Sequence, residues 1–288
     1  ATLKPLDLLL ALSVPIIWGL GFTLAKVGFV HFAFPPILLS ALRFGLTSLI
    51  LVFFVRPPVG YFLPIFWIAL VSATIQYSLT FTGLDGLDAS TAIIIVQLEF
   101  PFMALLAMIL LKDRLGLKGT LGVAFAFMGV VLIAGQPYLR ENLTSVAMVA
   151  SGAAVWAFGQ IMIKQLNGAV GSFTLIAWVA VFATPQLFAL SWYFEDNQIE
   201  VIRATGWQGW GVIVYLGVIM TALGYGIWYH LLGKYPVTKV GPVLLLLPVT
   251  SIIGSVVLLD EKLTWVEMLG AAIVIVGVWF VTSHRQPA

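Results

Sequence analysis

Cysteine is absent and charged side chains are scarce in this sequence of 288 residues. Without cysteine, the protein has no disulfides, no thiolate metal ligands and no cysteine nucleophile. Only 9% of the residues are charged and 61% are hydrophobic, whereas soluble domains carry about 25% charged residues. So few charges could not cover a water-facing surface, and the mean hydropathy is +1.08. The composition therefore predicts an integral membrane protein with many spans.

Motifs of several other functional classes are also missing. The net charge is only +2 and no basic segment is interleaved with aromatics, so no nucleic-acid partner is expected. The patterns His-Glu-x-x-His, Gly-x-x-x-x-Gly-Lys and Gly-x-Ser-x-Gly do not occur, and the chain is not expected to be an enzyme. The histidines (His31, His230 and His284) are scattered, which predicts neither a metal cluster nor a cofactor. The turn Asp85–Asp88 could bind a divalent cation, although a simple polar turn is favoured.

Ten apolar runs follow one another along the chain and predict ten membrane-spanning helices. The runs are Leu6–Val27, Ile37–Val55, Phe62–Gly83, Ala89–Leu111, Leu117–Gly135, Ser145–Leu166, Thr174–Phe194, Trp207–Leu232, Val240–Leu259 and Val266–Thr282. One lysine precedes the first run and no small-residue cleavage site follows it, so we expect a retained span and not a signal peptide. The predicted fold class is all-α.

The distribution of lysine and arginine predicts the orientation, because cytoplasmic loops carry the excess of positive charge. With a cytoplasmic N-terminus, nine basic residues lie inside and four lie outside. The inside set is Lys4, Arg56, Lys112, Arg114, Lys118, Lys164, Lys234, Lys239 and Arg285, and the outside set is Lys26, Arg140, Arg203 and Lys262. Both termini are therefore expected in the cytoplasm.

The two halves of the chain repeat. Trp18, Gly21 and Lys26 match Trp156, Gly159 and Lys164 at an offset of 138, and Tyr77, Gly122 and Gly129 match Tyr225, Gly270 and Gly277 at an offset of 148. We therefore predict two five-helix units, residues 1–136 and 143–283. Because five is an odd number of crossings, the second unit enters the membrane from the opposite side, which is typical of alternating-access transporters.

These features resemble the drug/metabolite transporter superfamily, and within it the ten-span EamA type. The resemblance includes an acidic residue after the fourth helix of each repeat, here Asp113 and Glu261. It implies a transporter of small organic solutes in the bacterial inner membrane. Within this type the sequence resembles the YddG branch, whose members export aromatic amino acids. The resemblance therefore implies an amino-acid-like substrate.

One polar cluster lies in the middle of the fourth span. Glu99 follows Gln97 there, and an ionisable group at this depth is expected to face a cavity or a partner. Pro101 cannot donate a backbone hydrogen bond, so we expect a kink that frees the carbonyl of Gln97, and Pro248 is its counterpart in the ninth span. A plain proline kink with an internally satisfied Glu99 remains the alternative.

Other candidates share helix faces in neighbouring spans. Spans one, three, four, six, eight and nine are expected to form the cavity, while spans five and ten pack through glycines. The predicted substrate-binding residues are Trp18, Gln76, Tyr77, Thr80, Gln97, Glu99, Trp156, Gln160, Tyr225 and Tyr229. Tyr77 is expected near the outer end of its span and Tyr225 nearer the inner end of its own.

Arg43 is predicted within the second span, at nearly the depth of Glu99. The two could form an intramembrane ion pair, or Arg43 could reach the outer interface. The predicted function is export of apolar or aromatic zwitterions by a monomer embedded in lipid. A nucleotide-sugar or drug carrier of the same superfamily and a passive solute channel remain alternatives.

Overall fold

The computed structural model describes residues 4–110, 116–166, 168–235 and 240–282. Within these ranges the regular structure is entirely helical, which confirms the all-α fold class. The basic residues Lys112, Arg114, Lys239 and Arg285 lie outside the described residues, and so does Asp113.

Nine described helices are long and apolar enough to cross a membrane, and a shorter apolar helix completes a set of ten. We number them α1 (Pro5–Phe32), α2 (Pro36–Phe54), α3 (Phe62–Asp85), α4 (Ala89–Leu110), α5 (Leu117–Ala134), α6 (Leu143–Gln165), α7 (Ser172–Phe194), α8 (Trp207–Leu231), α9 (Val243–Leu259) and α10 (Trp265–Thr282). A short helix, Gln198–Ala204, connects α7 and α8. The ten helices form two inverted five-helix repeats.

The two membrane faces are named from α1. The N-terminal face is the one on which Pro5 lies, and the distal face is the one on which Phe32 lies. The first helix runs five residues past its predicted end at Val27 and stops at Ala33, whose backbone has φ 53° and whose N–H reaches the carbonyl of Gly28. The apolar segment after Val27 continues the helix until the Pro35–Pro36 pair starts α2.

Helices α3 and α8 each contain a π-helical segment, which the sequence did not predict. The segments are Leu70–Ile75 and Tyr215–Tyr225, and the offset of 148 superposes the first on residues 218–223 of the second. A π turn frees backbone groups from the usual ladder and is frequent at functional sites. In α8 the Thr221 hydroxyl donates to the carbonyl of Leu216, five residues earlier, at 2.7 Å.

Helices α4 and α9 are interrupted just before their prolines. In α4 the α-helix stops at Val96 and resumes at Glu99, while a 3₁₀ segment, Gly241–Leu246, overlaps the start of α9, whose α-helical part begins at Leu247. Pro248 thus occupies the first turn of an α-helical segment, where a missing N–H costs little.

The expectation that the prolines leave two carbonyls free is wrong. The Gln97 carbonyl accepts from the N–H of Phe100 at 3.3 Å, and the Leu244 carbonyl accepts from the N–H of Leu247. In both repeats the residue just before the proline supplies the bond, because a tighter i→i+3 turn brings its N–H within reach.

Helices α5 and α10 pack directly through glycines, as predicted. A β-carbon at Gly122 would lie 2.6 Å from the Gly277 carbonyl oxygen, and one at Gly129 would lie 2.7 Å from the Gly270 carbonyl oxygen. Only glycine permits backbones this close. Gly122 and Gly129 occupy the positions in the first repeat that Gly270 and Gly277 occupy in the second. The internal symmetry therefore converts the Gly122–Gly277 contact into the Gly129–Gly270 contact.

The helix pairs that flank the centre follow the same symmetry. Gly21 of α1 contacts Met220 of α8, and Gly159 of α6 contacts Ser72 of α3. The offsets of 138 and 148 convert one contact into the other. The two pairs, α1 with α8 and α6 with α3, therefore each combine one helix from each repeat, and the central cavity lies between them.

Candidate substrate cavity

A cavity with an empty volume of about 430 Å³, counting its open mouth, lies between the repeats. Five helices contribute the neutral residues that line it: Phe44 from α2; Ser72, Ala73 and Tyr77 from α3; Trp156, Gln160 and Ile163 from α6; Leu175, Ile176 and Val179 from α7; Thr221, Tyr225 and Tyr229 from α8. Five of the ten predicted binding residues are among them.

Two tyrosines meet in the wall of this cavity. The hydroxyls of Tyr77 and Tyr225 are 2.8 Å apart and hydrogen-bonded. The Tyr225 ring packs on Trp18 at 4.7 Å between centroids, and Tyr77 meets Phe44 edge-on at 5.4 Å. Tyr77 and Tyr225 lie in the second halves of α3 and α8, which end on opposite faces, and their long side chains bring the two hydroxyls together.

Arg43 lies directly behind this pair. Its Nε donates to the Thr221 hydroxyl at 2.6 Å, and its Nη2 donates to the Tyr77 hydroxyl at 2.9 Å. The guanidinium carbon is 4.1 Å from the centroid of the Tyr77 ring. Arg43 is 0% exposed, so it does not reach an interface.

The expected ion pair between Arg43 and Glu99 is not formed among the described residues. Similar depth along two helices does not make them neighbours, and α2 packs chiefly on α3, α7 and α8. Glu99 is half-buried in α4, outside the cavity lining.

The remaining predicted residues of α3 and α4 lie behind the cavity wall. Gln76 donates to the Thr80 hydroxyl at 3.1 Å within α3, and both are buried. Gln97 is 1% exposed, and neither atom of its side-chain amide has a hydrogen-bond partner among the described residues. None of the described residues that line the cavity comes from α4 or α9, and the first part of α4, Ala89–Leu98, is buried on every side by neighbouring helices.

Helix α6 supplies the opposite wall. Gln160 lines the cavity together with Tyr229, and Trp156, which is 5% exposed, lines it as well. Trp18 is behind Tyr225 and donates its indole N–H to the Met220 carbonyl at 3.2 Å. The two repeat-matched tryptophans thus have different positions, one on the cavity surface and one supporting it.

The cavity extends toward the N-terminal face. Ile163 is two residues from the end of α6, and Leu175 is three residues from the start of α7. Both of those helix ends lie on the N-terminal face.

The distal face is held by two carboxylates of the second repeat. Glu261 accepts the N–H groups of Ala89 and Ser90 at 2.7 and 3.1 Å and the Ser90 hydroxyl at 2.6 Å. Glu195 accepts the N–H groups of Ile37 and Leu38 at 2.6 and 2.9 Å. Each carboxylate thus caps the first turn of a helix of the first repeat, where N–H groups lack intrahelical partners.

Sequence reasoning did not find these two roles. The resemblance points to Glu261 without naming a partner for it, and the sequence predicts no role for Glu195 after α7. The sequence offered a signal only at α2, because Pro35 has no side-chain cap to give. Asp88 before α4 is of a type that usually caps, yet its side chain makes no capping bond. Helix starts without local caps require acceptors from elsewhere in the fold.

Comparison with known proteins identifies the family. Residues 6–135 and 143–283 each match the model of the EamA-like transporter family. The chain belongs to the EamA-like transporter family. A crystal structure that is 16% identical aligns with a TM-score of 0.68 over 96% of both chains, which shows a shared fold.

Several relatives of this EamA-like transporter match along nearly its whole length. A "Probable amino-acid metabolite efflux pump" of Escherichia coli (strain K12) is 29% identical over 281 residues, which cover 95% of this chain and 93% of the relative. A protein of the same description from Salmonella typhimurium is 30% identical over the same length and shares of both chains. An "Uncharacterized transporter" of Archaeoglobus fulgidus is 27% identical over 286 residues, or 96% of this chain and 99% of the relative. The chain is a multi-pass membrane transporter and not an enzyme.

Proposed function

We propose that this EamA-like transporter exports amino acids with apolar or aromatic side chains by alternating access. The observation that carries the proposal is the cavity between the repeats, whose lining combines aromatic rings with hydroxyl and amide groups and, among the described residues, contains no charged side chain. The description of the Escherichia coli and Salmonella typhimurium relatives as amino-acid metabolite efflux pumps supports this substrate class.

The chemistry of the lining suits a zwitterion with a hydrocarbon side chain. The rings of Trp156, Tyr225 and Tyr229 offer negative faces to an ammonium group and apolar surface to a side chain. Gln160 adds a group that both donates and accepts hydrogen bonds. The other predicted binding residues (Trp18, Gln76, Thr80, Gln97 and Glu99) would then support this wall or approach it in another conformation.

Alternating access is supported by the inverted repeats and by the asymmetry between the two faces. The cavity extends toward the N-terminal face, while Glu261 and Glu195 hold the distal face together. With both termini in the cytoplasm of a bacterial cell, this conformation faces inward across the inner membrane. The interruptions before Pro101 and Pro248 are the proposed hinges, and a single chain contains both repeats and would work as a monomer.

The proposal is tested by counterflow in proteoliposomes. Vesicles that contain the purified transporter and unlabelled phenylalanine should accumulate labelled phenylalanine transiently, whereas a nucleotide sugar or a cationic drug should not drive this exchange. Trp156→Ala should weaken exchange because it removes a ring from the cavity wall. Trp279→Ala is the matched control, since Trp279 is 51% exposed on the outside of the helix bundle.

Two results would contradict the proposal. Flux without counterflow would indicate a passive channel, because a channel does not couple opposite movements of substrate. Exchange driven by a nucleotide sugar or a cationic drug, and not by amino acids, would indicate another substrate class.

A further inference from the structure

We infer that Arg43, acting through the hydroxyls of Tyr77 and Tyr225, forms an anion site in the cavity wall that takes the carboxylate of the substrate. The inference rests on the proposed function, because the cavity must bind an amino-acid-like solute. It names which part of the solute binds at which wall.

The first observation is a buried charge without a counter-ion. Arg43 is 0% exposed, and no acidic side chain pairs with it among the described residues. A buried charge without a counter-ion is costly. The rings of Phe44, Tyr77 and Phe81 lie 4.1–5.8 Å from the guanidinium carbon and offset part of the cost. The net positive charge remains and favours an anion nearby.

The second observation is an unused donor. Arg43 Nη1 is buried and has no hydrogen-bond partner among the described residues. Buried guanidinium groups are normally satisfied, and each exception needs an explanation. A bound anion that approaches through the neighbouring hydroxyls would provide the missing acceptor or the missing charge.

The third observation is the direction of the hydroxyl protons. Thr221 accepts from Arg43 Nε and donates its own proton to the Leu216 carbonyl, so its proton is used. Tyr77 accepts from Arg43 Nη2 and shares one hydrogen bond with Tyr225. The two tyrosines have two hydroxyl protons, but the hydrogen bond between them uses only one. The other proton remains available to a ligand. The charge of Arg43 polarises this chain and strengthens the remaining donor.

The fourth observation is that only one repeat carries the charge. Where α2 brings Arg43 to Thr221 of α8, α7 brings the neutral Gln186 to Thr74 of α3, at 2.6 Å. The tyrosine pair is symmetric, but its electrostatic environment is not. The cavity therefore has a positive side near Tyr77 and Tyr225 and a neutral side at Trp156 and Gln160. A zwitterion would place its carboxylate at the first and leave its ammonium group to the rings.

The test separates the carboxylate from the rest of the substrate. In the counterflow assay, 3-phenylpropionate, which lacks the ammonium group, should compete with labelled phenylalanine, whereas phenethylamine, which lacks the carboxylate, should not. Tyr225→Phe should raise the half-saturating phenylalanine concentration by about 10- to 100-fold, the value of a hydrogen bond to a charged group. The same variant should reduce the difference between 3-phenylpropionate and phenethylamine.

Tyr215→Phe is the matched control, because the Tyr215 hydroxyl donates to the Ile17 carbonyl and does not line the cavity. It should leave the half-saturating concentration unchanged. Arg43→Gln should abolish competition by 3-phenylpropionate, and thermal unfolding of the purified variant shows whether it still folds. If the Arg43→Gln variant does not fold, the result for Tyr225→Phe alone tests the anion site.

The outcomes distinguish this inference from the proposed function. If phenylalanine is exchanged and phenethylamine competes as well as 3-phenylpropionate, the anion site is wrong and the transport proposal stands. If no amino acid is exchanged but 3-phenylpropionate still binds the purified protein, and Tyr225→Phe removes that binding, the anion site stands alone. If replacement of chloride by isethionate changes binding while no carboxylate competes, the site takes an inorganic anion and the assignment to substrate is overturned.

Discussion

The hydroxyls of Tyr77 and Tyr225 are 2.8 Å apart, and these two residues occupy the same position in the two repeats. A contact between repeat mates places the internal two-fold axis between them. Any motion that exchanges the conformations of the two repeats must therefore leave this pair close to the centre. We therefore expect the tyrosine pair to move little, and we expect solvent accessibility to change at the helix ends on the two faces.

Accessibility on the two faces should change in opposite directions when substrate is added. Because the chain has no native cysteine, single cysteines can be placed at Ile163, in the cavity wall near the N-terminal face, and at Leu87, which is 3% exposed near the distal face. Outward opening should protect Ile163→Cys and expose Leu87→Cys to a water-soluble maleimide. Unchanged labelling at both positions, in a preparation that still transports, would contradict alternating access.

Glu261→Gln should favour opening of the distal face. The substitution removes the charge that accepts two backbone N–H groups and one hydroxyl at the start of α4. A helix cap of this kind contributes about 1–2 kcal/mol, which corresponds to a change of roughly 5- to 30-fold in the ratio of the two conformations. The labelling rate of Leu87→Cys measures that ratio. Glu200→Gln, an exposed glutamate on the same face, is the control and should have no effect.

The distal face should close more firmly in acid. Burial raises the pKa of the Glu195 carboxyl above its usual range, although hydrogen bonds from Ile37 and Leu38 act in the opposite direction. The closed distal face therefore binds a proton more tightly than an open one, in which we expect Glu195 to be hydrated. By linkage, a fall in pH through the raised pKa favours the closed face, and a rise in pH favours opening. Labelling of Leu87→Cys should slow as the pH falls, and Glu195→Gln should remove that dependence. A pH profile unaffected by Glu195→Gln would assign the effect to another group.

Gly129→Ala should destabilise the packing of α5 on α10. The added β-carbon would lie 2.7 Å from the backbone carbonyl oxygen of Gly270, and a backbone cannot move aside as a flexible side chain can. Overpacking of this kind costs about 1–3 kcal/mol, and thermal unfolding of the purified protein should show a lower midpoint. Gly211→Ala is the control, because no atom lies within 4 Å of the added carbon. Equal midpoints for the two variants would show that the glycine contact is not under steric constraint.

Hydropathy and repetition alone were sufficient to predict the helices and their symmetry. Each span must satisfy its backbone hydrogen bonds within itself, so the membrane leaves few folds open to a chain with ten apolar runs. The glycine contacts of α5 and α10 were predictable for the same reason, since Gly122, Gly129, Gly270 and Gly277 recur at helical spacing.

The site was only partly predictable, because binding residues meet through the lateral order of helices and not through their depth. Depth placed Arg43 beside Glu99, whereas packing places it beside Tyr77 and Thr221. Periodicity found the tyrosines of α3 and α8 but not the π-helical segments beneath them, because backbone bonds of that kind leave no composition signal.

Apolar length, helical period and internal repetition were enough to predict a ten-helix membrane fold with inverted repeats, because these are local properties of the sequence. Packing in three dimensions was needed to show that Arg43 supports the cavity wall, that α4 is enclosed, and that Glu195 and Glu261 hold the distal face. Each of these depends on which helices lie side by side, and that arrangement is fixed by side-chain packing between segments distant in the chain.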